Sequence, residues 1–534
     1  MDKLDTIRSM DFLEQIGVLA DVEKHGASEA IPALFELYLR PTNDAAVDTM
    51  IRNCLRNLLL KHDEQTLAGL NSNEKKRRTF CLFVAGEKAL AAAAPSLLLL
   101  AESCENDPDQ LLDVLTAMSR IKAQVFLPVF RKHLGHTDDY VAGLCVGMAG
   151  AYQDHDAFPL LAAIVEANEA DDRYEDCAIT TWKAIEALAA LQSPQALDFL
   201  VSKIHHRNPT ARRCIHERLT AIGSAAVEFV AKELASTDID DRIMAANVLG
   251  NIGDKKGADA LIQVLDDSAL KHPNLLFAAY EALGKIRSMK SLVALLDAFA
   301  TETDLAILMA VAEGLNSQAN PGIAAKLKEL AHSEAGDLAV RVIQAVVGAT
   351  ALQLFEILYA DPTLAPKLTA AIGATHDAER IKEFAAHLKT LSGKQAAADA
   401  ARLLDLCSQG RGKQPQLLAI DDSKAMLNFY RTAGAQLGYE VSTAENGKEA
   451  FDLIDMGVAF DLVLVDMNMP VMDGIEFTTK VRCLENCQAL PIIMATTESE
   501  KSQAQLAKKA GVTSFLKKPF TLEILHSKIK NVLG

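Results

Sequence analysis

Asp461-Leu-Val-Leu-Val-Asp466-Met-Asn-Met-Pro470-Val-Met-Asp473-Gly474 decides the fold of the last part of this chain. Leu462 to Val465 is an apolar run of strand length, the pattern of a buried strand. It delivers Asp466 to the strand's carboxyl end, and Pro470 and Gly474 turn the chain away. Open α/β sheets place ligands beyond the carboxyl ends of their strands, so a carboxylate there is a functional placement. A competing reading makes Asp466 a cap for the next turn. It is the weaker one, because other strand ends bring matching chemistry to the same edge.

Around this stretch, residues 416–534 alternate strand and helix patterns. Strands are expected at 417–420, 439–442, 462–465, 492–495 and 514–516. Helices are expected at 424–437, 447–455, 475–484, 499–510 and 521–533. Such alternation predicts a five-stranded parallel sheet covered on both sides, in the flavodoxin-like order 2-1-3-4-5. The strand ends then carry Asp421-Asp422-Ser423, Asp466, Thr496-Thr497 and Lys517-Lys518-Pro519-Phe520. Two like charges ~4 Å apart repel by ~4 kcal/mol at an effective dielectric of ~20. Three carboxylates on one edge therefore call for a cation. Hard oxygen ligands with open positions suit Mg²⁺, and Lys518 supplies a second positive charge. This set can make one carboxylate attack a phosphoryl group while the cations neutralise its oxygens.

Residues 416–534 resemble a response-regulator receiver domain over their whole length. The resemblance implies that Asp466 is the phosphoacceptor. It implies that Asp421, Asp422 and Asp466 hold Mg²⁺ together with the backbone carbonyl of Asn468. Thr496 takes the place of the switch hydroxyl and Phe515 that of the switch aromatic, without the hydroxyl a Tyr would carry. Lys518 takes the place of the active-site lysine, and its bond to Pro519 is cis in this family. Asn468 and Glu498 stand where such domains tune dephosphorylation. Lys517 reads as a surface charge. The implied partner is a sensor histidine kinase or phosphotransfer protein, or a small phosphodonor. Phosphorylation would shift Thr496 and Phe515 and change the face made by the fourth helix, fifth strand and fifth helix.

Upstream, periodicity stops at the polar, Gly-rich linker 408–415. Before it runs a repeat: an apolar helix carrying Leu-x-x-Ile or a close relative, a turn, then a second apolar helix. The anchors Leu188, Leu219, Leu249 and Leu283 are 31, 30 and 34 residues apart, and weaker copies centre on Phe83, Met118, Met148 and Leu315. The longer step from 148 to 188 fits an insertion in the acidic segment 166–175. One helical pair cannot bury its apolar face alone, but stacked pairs can. The region resembles HEAT-like repeats of the kind first associated with phycobilin lyases. The expected division is a helical cap at 1–80, a solenoid at 81–320, a second cap at 321–407, the linker, and the receiver at 416–534. The fold class is thus an all-α HEAT-like solenoid followed by a flavodoxin-like α/β domain.

Composition narrows the function. The net charge is −17, of which −3 lies in 416–534 and −14 in the remainder, so direct binding to nucleic acid is disfavoured. The basic run 75–78 reads as a solvated helix face. Nine scattered Cys residues point to a reducing compartment. The longest largely apolar run, 89–101, is 13 residues and too short to span a bilayer. A cytoplasmic protein is expected. No HExxH, GxSxG or P-loop occurs. His205-His206, His133/His136 and His155 read as surface or half-buried histidines, and Trp182 as core. The expected function is a phosphorylation-switched adaptor whose solenoid docks an output protein. Two alternatives stay open: a solenoid with bilin-lyase-like activity, and a regulator of transcription acting through a partner.

Overall fold

The structure is a computed structural model that describes residues 4, 6–25, 28–42, 44–170, 178–267, 272–334, 337–408, 414–496, 501–518 and 520–533. Residues 171–175 of the acidic segment, 409–413 of the linker, Cys177, Thr497, Glu498 and Pro519 lie outside the described residues. The chain divides into two compact units, Met1–Asn168 with Ala178–Ala196, and Glu169–Cys177 with Leu197–Gly534.

The described part of the first unit is helical. Its helices Lys75–Glu87, Pro108–Ile121, Asp139–Ala151 and Ile179–Leu191 pack in series, each on the next. Asp107 and Asp138 start two of them by accepting backbone N–H groups that have no partner inside the helix. Met118 and Leu188 are fully buried and Met148 nearly so. Phe83 corrects the expected pattern: it is 46% exposed, and Phe80, Cys81 and Val84 take the buried face instead. The Arg120 guanidinium lies over its ring, 5.6 Å from the centroid. Trp182 is half-buried, not enclosed.

The second unit continues the repeat. Its first-layer helices are α1 (Pro209–Ile222), α2 (Ile239–Ile252), α3 (Pro273–Lys285), α4 (Leu305–Asn316) and α5 (Leu338–Gly348). Each packs on its successor, and a second layer, Ser224–Glu233, Lys255–Asp266, Met289–Thr301 and Pro321–Ala331, does the same. Asn208, Asp238 and Asp304 cap α1, α2 and α4, each accepting backbone N–H groups of the first turn. Leu219, Leu249, Leu283 and Leu315 are completely buried between the layers.

The small residues of the repeat have a measurable purpose. A Cβ on Gly284 would stand 2.8 Å from the Cα of Gly314, so α3 and α4 cross backbone to backbone. In a free helix Gly→Ala gains up to about 1 kcal/mol. Here overpacking costs about 1–3 kcal/mol. Gly284→Ala should therefore lower the urea midpoint; a raised midpoint would contradict the close crossing.

Further helices follow, among them α6 (Ala378–Thr390). The sheet domain then runs β1 (Gln416–Ile420), α7 (Lys424–Gln436), β2 (Glu440–Ala444), α8 (Gly447–Asp455), β3 (Leu462–Asp466), α9 (Gly474–Arg482), β4 (Ile492–Thr496), α10 (Lys501–Ala510), β5 (Ser514–Lys517) and α11 (Leu522–Leu533). The strands are all parallel in the order β2-β1-β3-β4-β5. Successive β3 side chains leave on opposite faces. Val463 and Val465 join a core with Ile454, Phe477 and Val481, whereas Leu462 and Leu464 join one with Tyr430, Leu525 and Ile529. That is why β3 reads as an unbroken apolar run.

Within this unit the repeats hold the sheet domain directly. Helix α7 packs on α4 and α5, and Phe277 of α3 packs against the core that contains Tyr430. Asn428 donates to the Ala349 carbonyl at 3.0 Å.

Candidate functional site

The register brings the chemistry to one edge. Ile420 pairs with Val465, Asp466 with Ala495, and Thr496 with Lys517, so the ends of β1, β3, β4 and β5 are neighbours. Lys518 N–H donates to the Thr496 carbonyl at 2.8 Å, which carries the ladder one residue past β5. The Lys518 ammonium then reaches back over the edge and donates to Asp421 Oδ2 at 2.7 Å and Asp466 Oδ1 at 2.6 Å. Asp466 Oδ2 accepts the Asn468 N–H at 3.0 Å, and Asp421 Oδ1 accepts that of Ser423 at 3.0 Å. Asp421, Asp466 and Thr496 are buried. The Thr496 hydroxyl donates to the Met467 sulfur at 3.7 Å. Phe515 is half-buried on β5, packed against the core beside β3 and β4. Lys517 is exposed.

The loop after β3 explains Pro470 and Gly474. Asp473, not Asp466, caps α9, its Oδ1 accepting the N–H groups of Ile475 and Glu476, both at 2.9 Å. That cap starts α9 at Gly474, one residue before the expected Ile475. A Cβ on Gly474 would lie 2.3 Å from the Asp466 carbonyl oxygen, so only glycine lets the helix start beneath the carboxylate. Met472 N–H donates to the Pro470 carbonyl at 2.7 Å, closing a γ-turn on Val471 at φ 67°. A β-branched residue at positive φ is strained by about 1–3 kcal/mol, and the strain sits next to the site.

The cluster is short of positive charge. Burial pushes the Asp421 carboxyl up, opposed by Lys518 and reinforced by Asp466. Asp422 is pushed up by desolvation and then by Asp421 and Asp466. It remains exposed, so water weakens the first cause and the repulsion persists. Burial alone would lower the Lys518 ammonium, but Asp421 and Asp466 outweigh it and keep it protonated. Hard oxygens with uncompensated charge fit Mg²⁺. Among the described residues, no group of three His, Cys, Asp or Glu side chains is placed to hold a metal ion. Mg²⁺ needs none, because it keeps water and takes one or two carboxylates.

The site has a second wall that sequence reasoning missed. Asp421, Asp422, Asp466 and Lys518 line a cavity of about 900 Å³ shared with residues of α1 to α4. Arg212 of α1 donates to Asn468 Oδ1 at 2.5 Å, and Asn274 of α3 donates to the Lys518 carbonyl at 2.6 Å. Arg213 pairs with Glu476 of α9 at 3.3 Å. Burial would lower the Lys285 ammonium, but Glu281 first and then Asp422 and Asp421 raise it. These residues lie about 140 to 260 positions upstream, on helices whose periodicity reports only their own packing. No spacing in the sequence points from them to the site.

Among the described residues, no helix is long and apolar enough to cross a membrane. The family of response regulator receiver domains matches residues 417–530, and that of HEAT repeats matches 227–316. A chemotaxis protein CheY homolog of Campylobacter jejuni is 40% identical over 120 residues, which make up 22% of this chain and 92% of that protein. Among solved structures, the chemotaxis response regulator CheY4 of Vibrio cholerae is 37% identical, with 23% of this chain and 100% of that one covered and a TM-score of 0.22. The receiver domain of sensor histidine kinase PA1611 from Pseudomonas aeruginosa, solved with a magnesium ion coordinated in its active site cleft, is 25% identical, with 23% and 99% covered and a TM-score of 0.22. On the 40% identity over nearly all of a curated relative, with the carboxylate-lined strand ends inside the matched segment, the chain belongs to the response-regulator receiver family of two-component signalling, its receiver preceded by HEAT repeats.

Proposed function

We propose that this protein is a response regulator that accepts a phosphoryl group on Asp466 and uses its repeats as a docking arm for a protein partner. The observation that carries the proposal is the Lys518 ammonium shared between Asp421 and Asp466, at 2.7 and 2.6 Å, on the carboxyl edge of a parallel sheet. An Asp466 oxygen forms the bond to phosphorus. The P–N bond of a phosphohistidine donor, or the P–O bond of a small acyl phosphate, breaks. The leaving group departs with the electron pair: the imidazole nitrogen is protonated, and the carboxylate of an acyl phosphate leaves as the anion. Lys518 holds one Asp466 oxygen and neutralises charge beside it. Asp421, Asp422, Asp466 and the Asn468 carbonyl would hold Mg²⁺, which when bound neutralises phosphoryl oxygens.

Thr496 and Phe515 are the residues that would relay the change. The Thr496 hydroxyl donates to the Met467 sulfur, a weak acceptor, and would exchange it for a phosphoryl oxygen. The face made by α10, β5 and α11 would then change shape. Ile524 on α11 is 50% exposed and open to a partner.

The test uses the full chain with acetyl phosphate and Mg²⁺. One phosphoryl group should appear by mass, mapped to the peptide containing Asp466, and EDTA should abolish it. Labelling that maps elsewhere, or that survives chelation, would overturn the proposal.

A further inference from the structure

We infer that Arg212, contributed by the HEAT repeats, is a positioning residue of the receiver's own phosphoacceptor site, and that its bond to Asn468 couples loading of Asp466 to docking of the repeats. The inference rests on Asp466 being the phosphoacceptor. Arg212 is only 3% exposed, although it is a cation on a helix surface. Its guanidinium is fixed at both ends of one fork: it donates to the His206 carbonyl at 3.2 Å and to Asn468 Oδ1 at 2.5 Å. Asn468 in turn points its backbone N–H at Asp466 Oδ2, at 3.0 Å. A rigid cation from the repeats thus holds the residue that holds the carboxylate.

Two further contacts show that the repeats grip both loops of the site. Asn274 fixes the backbone of Lys518, and Arg213 pairs with Glu476 at the start of α9. The repeat side of the cavity also carries Glu217, Glu281 and Asp304, so its charge is not simply attractive. Lys285 is shared with Glu281 at 3.4 Å. The local geometry at Arg212 therefore matters more than the sum of charges.

Loading Asp466 adds negative charge next to this assembly. A nearby guanidinium stabilises that charge, and charge-assisted hydrogen bonds are the stronger kind. Coupling between two binding events is reciprocal. If the Arg212–Asn468 bond tightens the loaded site, loading must tighten the grip of α1 on the receiver by the same factor. The repeats then read the phosphoryl group within one chain, through a side chain and not only through the α10–β5–α11 face.

The experiment uses hydrogen exchange of the full chain with Mg²⁺ and increasing beryllofluoride, which stands in for the phosphoryl group. In the wild type, beryllofluoride should slow exchange both in β3 and in Pro209–Ile222. Arg212→Ala should raise the half-saturating concentration read in β3 by about tenfold and remove the response in Pro209–Ile222. Arg212→Lys should recover part of both. Asn468→Ala breaks the same bond from the loop side and guards against misfolding of the Arg212 variant. The double variant should be no worse than the worse single one. An unchanged half-saturation in Arg212→Ala, or a wild-type α1 indifferent to or loosened by beryllofluoride while β3 is protected, overturns the coupling alone. Absence of any protection in β3 overturns the phosphoacceptor assignment, and this inference with it.

Discussion

Asp466→Asn should take up no phosphoryl group from acetyl phosphate, with labelling at background under conditions that load the wild type. The amide is isosteric but carries no anionic oxygen, so the nucleophile is lost while the shape of the site is kept. The fold should survive. Lys518 keeps its 2.7 Å bond to Asp421, and the Asn468 N–H can still donate to the amide oxygen. One of three crowded carboxylates also disappears, which relieves the repulsion that pushes Asp421 and Asp422 upward. The variant should therefore melt no earlier than the wild type. Mass spectrometry of the intact chain and a thermal melt on the same sample check both halves. Undiminished labelling would remove Asp466 from the mechanism; a lower melting temperature would mean that its charge also holds the fold.

The largest expected loss of stability is at Arg380, far from the chemistry. This arginine of α6 has no exposed surface. It donates from Nε to Thr350 at 3.2 Å, from Nη1 to Thr432 at 2.8 Å and from Nη2 to the Asn428 carbonyl at 3.1 Å. Two of these partners are on α7, so one side chain ties the receiver's first helix to the repeats. Burial pulls its pKa down to about 10, against the pull of Asp377, and the group stays charged at neutral pH. Removing one partner of a buried pair costs about 3–5 kcal/mol. Asp377 keeps Arg431 at 3.1 Å, so the lower end applies. Arg380→Ala should lose about 3 kcal/mol by denaturant unfolding, and exchange in α7 should rise before that in β3. A loss under about 1 kcal/mol, the range of an exposed pair, would show that α7 is held by apolar packing instead.

Much of the receiver was legible in the residues themselves. An unbroken apolar run marked β3 because both faces of that strand are covered, and Asp466 followed as its tip. Four of the five strands were read to within a residue at each end. β2 moved most, to 440–444, because this edge strand is only partly buried and its register comes from pairing with β1. Helix α9 starts at Gly474 and not at the expected Ile475 because Asp473 caps it, and a cap is a side-chain hydrogen bond rather than an apolar period. Phe83 was misplaced for a related reason: a helix whose apolar residues run nearly all round does not say which of them turns inward.

The sequence alone determined the alternation of strand and helix, the repeat with its buried leucine anchors, and the set of carboxylates, hydroxyl and lysine that the strand ends carry. Local periodicity and the parity of a pleated strand suffice for those. Only the tertiary structure decided that Arg212, Asn274 and Lys285 stand over that set, and that Arg380 reaches across to α7. Such contacts join faces of elements up to 256 residues apart. Each face satisfies its own helix whether or not a partner meets it, so nothing in the local pattern records the meeting.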